Sequence, residues 1–208
     1  MKTIAVISQK GGVGKTTIAV HLAVAANQRS SPAVVVDLDP QASSTTWGDL
    51  RREETPYVQP AQVSRLGLVL AEAEKQGAGL AIIDTSPNSE SASLAAARSA
   101  DLVLIPCRPH LLDLKAIAAT VEIARLAQRR FAIVLSAVPA HGNIAAEARA
   151  ALKAYDAEVA PAQITTRAAF YHCLLDGRVA QEYEPRGKAA SEIKALYEWV
   201  SIQIDMYT

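Results

Sequence analysis

Five apolar runs with almost no polar alternation punctuate the chain: Ile4-Ala5-Val6-Ile7, Ala33-Val34-Val35-Val36, Leu80-Ala81-Ile82-Ile83, Leu102-Val103-Leu104-Ile105 and Phe131-Ala132-Ile133-Val134-Leu135. Strands of this composition are covered on both faces, which is the condition of a parallel sheet between helical layers. Between them the apolar positions change to helical spacing. Ile18, Leu22 and Ala26 share one face after the first run, and helices are predicted over Leu66 to Lys75, Ala92 to Ser99, His110 to Gln128 and Ala145 to Tyr155. A short edge strand is expected near Tyr57-Val58 and another around Val159, while Ile193, Leu196, Tyr197 and Val200 form the stripe of a last helix. Strands alternating with helices imply βαβ units with right-handed crossovers. The expected fold class is therefore α/β, a three-layer sandwich with a mostly parallel sheet flanked by helices.

Composition narrows the reading without changing it. The 208 residues suffice for one domain with a substantial core, and a single domain over 1–208 is expected. Half the residues are hydrophobic and a fifth charged, as in soluble α/β proteins. No apolar run reaches the roughly 20 residues that cross a bilayer, and a strand begins almost at Met1 where a signal peptide would lie, so a cytoplasmic protein is expected. Cys107 and Cys173 stand far apart with no partner at metal-ligand spacing and are read as buried thiols. His21, His110, His141 and His172 show no ligand or triad spacing and are read as structural. The formal net charge is zero, so any contact with nucleic acid must come from a local patch or an assembled oligomer.

The chemistry concentrates in Ser8-Gln9-Lys10-Gly11-Gly12-Val13-Gly14-Lys15-Thr16-Thr17, which follows the first strand and opens a helix. Glycines there let successive N–H groups turn toward one anion, and the helix N-terminus adds unpaired donors and a favourable dipole. Gly11, Gly12, Val13, Gly14, Lys15, Thr16 and Thr17 are the candidate nucleotide-binding residues. Lys15 would reach the β- and γ-phosphates and the Thr16 hydroxyl would complete a Mg²⁺ shell. The alternative is a glycine-rich turn with incidental lysines. The usual G-x-x-x-x-G-K-[ST] pattern has glycine where this chain has Gln9, and a second lysine, Lys10, precedes Lys15 by five positions. Two further strands deliver carboxylates to the same sheet edge. Asp37-Leu38-Asp39-Pro40-Gln41 closes the second run, and Asp84-Thr85-Ser86-Pro87 closes the third in a Walker B pattern in which Asp84 would hold Mg²⁺ through water.

These boxes resemble those of the ParA/MinD family of deviant Walker A ATPases, most closely small ParA (ParF-like) DNA-partition ATPases, and the resemblance covers nearly the whole chain. It implies a P-loop NTPase sandwich, ATP and Mg²⁺ as cofactors, and slow hydrolysis to ADP and phosphate. By resemblance Lys10 is the signature lysine that reaches across an ATP-bound homodimer. Asp37 organises Mg²⁺ and its waters, and Asp39 positions the water that attacks the γ-phosphate. Catalysis would thus rest on Lys10, Lys15 and Asp39, and metal binding on Thr16, Asp37 and Asp84. Pro106-Cys107-Arg108-Pro109 is similar to the segment before the family's interface helix, and the segment 136–143 sits where relatives contact adenine. Ser43-Ser44-Thr45-Thr46-Trp47 opens a helix whose Trp47 is either packing or a switch residue.

The function the resemblance implies is a DNA-partition ATPase, nucleoid-associated, whose dimer binds nonspecific DNA and is stimulated by a small centromere-binding (ParB/ParG-like) partner. No room is seen for an N-terminal helix-turn-helix domain. Arg178, Arg186, Lys188 and Lys194 are the candidate DNA contacts, against the alternative of a solvated mixed-charge face, since acidic residues outnumber basic ones from position 145 onward. A MinD-like membrane-cycling or protein-cargo-positioning ATPase is the second reading. A membrane role would need a basic amphipathic last helix, whereas Glu192, Glu198 and Asp205 offset Lys188 and Lys194 here. An electron-transfer or metallation carrier would need paired cysteines, and a generic kinase would not explain Lys10 or the D-x-D-P-Q box.

Overall fold

The computed structural model describes residues 1–206. Its centre is a seven-stranded sheet in the order β3-β2-β4-β1-β5-β6-β7, built from β1 (Lys2–Val6), β2 (Ala33–Asp37), β3 (Tyr57–Pro60), β4 (Leu80–Asp84), β5 (Leu102–Cys107), β6 (Phe131–Leu135) and β7 (Glu158–Val159). Every described pairing is parallel, so the apolar runs are explained: Ile4, Val35, Ile82, Leu104 and Ile133 are fully buried between two helical layers.

Alternation along β1 assigns the layers. Ile4 and Val6 join Ile18, Leu22, Ile193 and Leu196 in one core, and Ala5 and Ile7 join Ala96, Ile117 and Leu152 in the other. The first face is thus covered by α1 (Lys15–Gln28) and α9 (Lys188–Gln203), and the second by α3 (Leu66–Lys75), α4 (Glu90–Arg98), α5 (Leu111–Leu126) and α6 (Ile144–Leu152). Helix α2 (Ser43–Leu50) sits beside α1, with Trp47 buried against Val20, Val24 and Val179. Trp47 also donates its indole N–H to the Arg178 carbonyl at 3.1 Å, so it packs here as a core side chain. The α9 stripe is spent on the core: Ile193, Leu196 and Val200 have no exposure and Tyr197 3%. No helix among the described residues is long and apolar enough to cross a membrane.

Most of the predicted elements appear within a residue or three of their expected ends. Two short helices have no counterpart in the sequence reading, α7 (Ala168–His172) and α8 (Ala180–Tyr183). Each is too short for a periodic pattern to show. The sheet register sets up the site: Val6 pairs with Asp84 and Asp37 with Asp84. The loop after β1 and the two aspartates therefore meet at one sheet edge, where the strand order changes direction.

Candidate nucleotide site

The loop leaving β1 is fixed before it turns. Ile7 N–H bonds the Leu104 carbonyl at 3.0 Å, Gln9 N–H bonds Thr120 Oγ1 at 3.1 Å, and Gln9 Nε2 bonds Ser93 Oγ at 3.2 Å. Gln9 thus anchors the loop to α4 and α5 where other phosphate loops place glycine. Gly12 and Gly14 follow at φ 69° and 89°, left-handed conformations that a side chain would strain. Ser136 Oγ holds the Val13 carbonyl from the opposite side at 2.8 Å. Helix α1 then begins with neither a side-chain cap nor an acidic residue in its first turn, so its leading N–H groups face the cavity free to receive an anion. Lys15 Nζ donates to the Lys10 carbonyl at 3.0 Å. Burial pushes its pKa down, opposed by the charges of Asp84 and Asp39.

Thr16 lies half-buried at the next position and donates its hydroxyl to Asp84 Oδ2 at 2.7 Å, and Ser44 Oγ from α2 donates to the same oxygen at 2.7 Å. The other oxygen, Asp84 Oδ1, is buried with no hydrogen-bond partner. Burial pushes the Asp84 pKa up to about 6, the Thr16 and Ser44 hydrogen bonds opposing it and the charge of Asp37 adding to it. An orphaned buried carboxylate oxygen next to a hydroxyl suits a hydrated cation. Asp37 is engaged differently. Its Oδ1 accepts the Asp39 N–H at 3.0 Å and its Oδ2 accepts both N–H and Oγ1 of Thr45 at 2.9 Å. It closes the N-terminus of α2, where Ala42 has no side chain to do so. Asp39 is partly exposed, accepts the Gln41 N–H at 2.9 Å and lines the cavity above the loop.

The cavity itself is about 400 Å³. One end is residues 11–18 with Asp39, and the other is made by Ser136, Ala137 and the wall from Ile164 to Arg167, with Tyr171 at its rim. Of the segment 136–143 expected to meet the base, only the first two residues reach the cavity. Lys10 is not among its lining residues. Its ammonium lies 3.8 Å from Asp113 Oδ1, and that buried carboxylate also receives Arg108 Nε and Nη2 at 3.1 and 3.3 Å. A larger depression of about 600 Å³ lies at the far end of α1, lined by three arginines, of which Arg51 is answered by Glu182 and Arg178 by Asp176, each at 2.6 Å.

Several of these contacts escaped the sequence. Ser44 lies in a stretch noted only as a helix start, Ser136 in the segment expected near adenine rather than against the loop, and Asp113 and Thr120 within the predicted interface helix with no role of their own. Both cysteines are free and buried, their thiols pushed up to about 12 by burial. The four candidate DNA contacts do not make one row. Arg178 is bonded to Asp176 and lies over the Tyr183 ring at 5.0 Å. Arg186, Lys188 and Lys194 are exposed, and six helical positions set Lys188 and Lys194 about 120° apart around α9.

With this geometry in place, three comparisons identify its kind. The family model described as the CobQ/CobB/MinD/ParA nucleotide binding domain matches residues 4–178. Among curated proteins, the maintenance of carboxysome distribution protein A of Gloeobacter kilaueensis is 33% identical over 207 residues, 98% of this chain and 94% of that protein. Protein IncC of Escherichia coli is 28% identical over 260 residues, 99% of this chain and 71% of that protein. Among solved structures, an ATP complex of McdA from Cyanothece superposes with TM-score 0.78 at 19% identity, covering 100% of this chain and 98% of that one. The cell division ATPase MinD of Pyrococcus furiosus gives 0.76 at 20% identity, covering 97% and 98%. At such identities these structures establish the shared fold.

Proposed function

The chain belongs to the CobQ/CobB/MinD/ParA nucleotide-binding family, and from that premise we propose a Mg²⁺-dependent ATPase of the partition type, working as one domain over 1–208. The observation that carries this reading is the convergence of a free helix N-terminus, Lys15, Thr16 and the orphaned Asp84 oxygen on one cavity. The residues fit Mg²⁺ and a nucleoside triphosphate. N–H groups of residues 11–17 would hold the phosphates, Lys15 would exchange the Lys10 carbonyl for a phosphate oxygen, and Thr16 with Asp84 would hold the metal shell. Bound Mg²⁺ would supply charge neutralisation at the transferring phosphate. Asp37 fixes α2 and with it Ser44 behind Asp84, so its share in metal binding is indirect. Asp39 is the group placed to orient a water and take its proton.

Lys10 suits a role in a second subunit, because it is 44% exposed, outside its own cavity and tethered to Asp113 at a length that a competing phosphate would overcome. The active form would then be an ATP-bound homodimer that binds DNA without sequence preference and turns over slowly until a partner protein stimulates it. In the first reading the partner is a small centromere-binding protein and the cargo is DNA, which would place the protein at the nucleoid in the cytoplasm. The second reading, a protein-assembly cargo, is favoured by the near full-length likeness to a carboxysome distribution protein.

The test of the shared core is mass in solution. Light scattering with ATP and Mg²⁺ is expected to give twice the mass seen with ADP, and Lys10→Ala is expected to bind ATP and stay monomeric. Equal masses with both nucleotides would end the dimer model. Pull-down of the protein encoded beside this one, followed by its effect on hydrolysis and on DNA, separates the two cargoes.

A further inference from the structure

The end of the cavity away from the phosphate loop hangs on one carboxylate. Val138 holds the inner side of the wall, its N–H bonding the Ile164 carbonyl at 3.0 Å and its carbonyl accepting the Thr166 N–H at 2.8 Å. The outer side is held by Glu192, a residue of α9. Glu192 Oε2 accepts the Thr165 N–H at 2.9 Å, and Oε1 accepts Arg167 Nε and Nη2 at 2.9 and 2.6 Å. Both side chains are largely shielded, Arg167 at 24% exposure and Glu192 at 17%. A charge pair this close and this shielded is a strong contact. Thr165 and Arg167 both line the cavity. Helix α9, which carries the carboxylate, packs on α1, the helix that starts at the phosphate loop.

We propose that Glu192 is a positioning residue for the nucleoside end of this cavity: it fixes the Thr165–Arg167 wall against which base and ribose pack, and it keeps the Arg167 guanidinium turned to α9. The inference rests on the reading of the cavity as a nucleotide site and adds the residue that shapes the half of it no motif marks. If the carboxylate is neutralised, an amide nitrogen faces the guanidinium in place of an acceptor. The buried Thr165 N–H then competes for the one oxygen left, and the Arg167 guanidinium loses the acceptor that holds it against α9. The wall loses its shape while Lys15, Thr16, Asp39 and Asp84 keep theirs.

The experiment compares two probes, ATP and inorganic tripolyphosphate, by calorimetric titration with Mg²⁺. Tripolyphosphate engages only the phosphate end. Glu192→Gln is expected to weaken ATP by about tenfold, the scale of one charged hydrogen bond, and to leave tripolyphosphate binding unchanged. In steady state the same variant is expected to raise KM with kcat unchanged, and Glu192→Asp to recover part of the loss. Arg167→Gln, which removes the guanidinium from the other side, is expected to show the same loss for ATP alone and carries the test if Glu192→Gln does not fold. Equal weakening of both probes would make Glu192 a general structural support and overturn the proposal, as would unchanged ATP affinity in both variants. Failure of the unaltered protein to bind either probe would instead refute the nucleotide site itself, and binding of tripolyphosphate without any gain for ATP would refute a nucleoside end.

Discussion

At the phosphate end of the cavity the strands place almost everything: a loop leaving β1 and pinned by Gln9 and Ser136, the open start of α1, and Asp37 and Asp84 side by side on paired strands. At the other end there is, among the described residues, no strand beyond the single bridge between Val138 and Thr165, and the wall is held by the Val138 backbone on one side and by Glu192 reaching in from α9 on the other. The first end is made rigid by sheet register and cannot shift without breaking strands. The second is adjustable, because a few hydrogen bonds set its shape. The phosphates would therefore be bound and acted on by fixed geometry, while helix packing tunes how tightly the rest of the nucleotide is gripped.

The largest expected effect breaks the chemistry without touching that contrast. Among the described residues the Asp39 side chain accepts only the Gln41 N–H, so Asp39→Ala leaves the loop, Lys15 and Asp84 in place. ATP binding should persist while hydrolysis falls by roughly 10²–10⁴, the usual contribution of a positioned base. Single-turnover hydrolysis measures it, and a variant as fast as the unaltered protein would remove Asp39 from the mechanism. Next comes Lys15→Ala, which tests the rigid end directly. Losing one charged donor should weaken ATP roughly 10- to 100-fold and tripolyphosphate as strongly. An affinity close to the unaltered protein's would mean that the adjustable end carries the binding.

The contrast also explains what could be read from the chain. Strands, loop and aspartates were legible because each is a contiguous run whose residues act on their neighbours: Ile4 to Thr17, Ala33 to Gln41, Leu80 to Pro87. The wall was not, because Arg167 and Glu192 are 25 residues apart and Ser44 and Asp84 40 apart, and nothing local marks either pair. The segment 136–143 was expected to meet the base by resemblance to relatives, yet of it only Ser136 and Ala137 line the cavity. The four basic residues looked like one patch because they are close in sequence. The ion pair of Asp176 with Arg178 and the turn of α9 break that patch apart.

One buried residue of α1, a turn beyond the phosphate loop, makes stability depend on pH. His21 lies fully buried in α1, its Nδ1 2.7 Å from the Thr17 carbonyl and its Nε2 accepting the Ala180 N–H at 3.0 Å. Both contacts require the neutral ring with its proton on Nδ1. Burial lowers its pKa from 6.5 to about 4, against the Thr17 hydrogen bond and the charge of Glu182. Between those values the unfolded chain binds a proton that the folded one refuses. The share of stability carried by His21 is therefore intact above the unfolded pKa and is lost as pH drops through the window, by about 3 kcal/mol in all, while Asp84, raised from 3.8 to about 6, contributes in the opposite direction as pH falls. Denaturant unfolding at about pH 7.5 and about pH 4.5 should therefore show the unaltered protein losing more, or gaining less, stability than His21→Gln, the Asp84 contribution being common to both. Identical slopes would mean that His21 is charged or exposed in the folded state.

The smallest expected effect concerns the outer surface of the adjustable half. Arg186, Lys188 and Lys194 are exposed, and among the described residues no carboxylate forms an ion pair with them, whereas the charge of Arg178 is answered by Asp176. If the ATP-bound dimer holds DNA here, Arg186→Glu with Lys188→Glu removes two cations from each subunit, four per dimer. Each neutralised phosphate contributes about 0.9 to the slope of log affinity against log salt, so the slope should fall by about 3 to 4. Arg178→Glu should change it least, since it removes a cation already paired. Lys194→Glu, a third of a turn away around α9, should fall between. Filter binding at two salt concentrations with ATP and with ADP separates these outcomes. A slope unchanged in the double variant would move the DNA surface elsewhere on the dimer. No ATP-dependent binding in the unaltered protein would leave α9 as a helix whose business is the cavity wall, and would favour a protein assembly over DNA as what the ATPase positions.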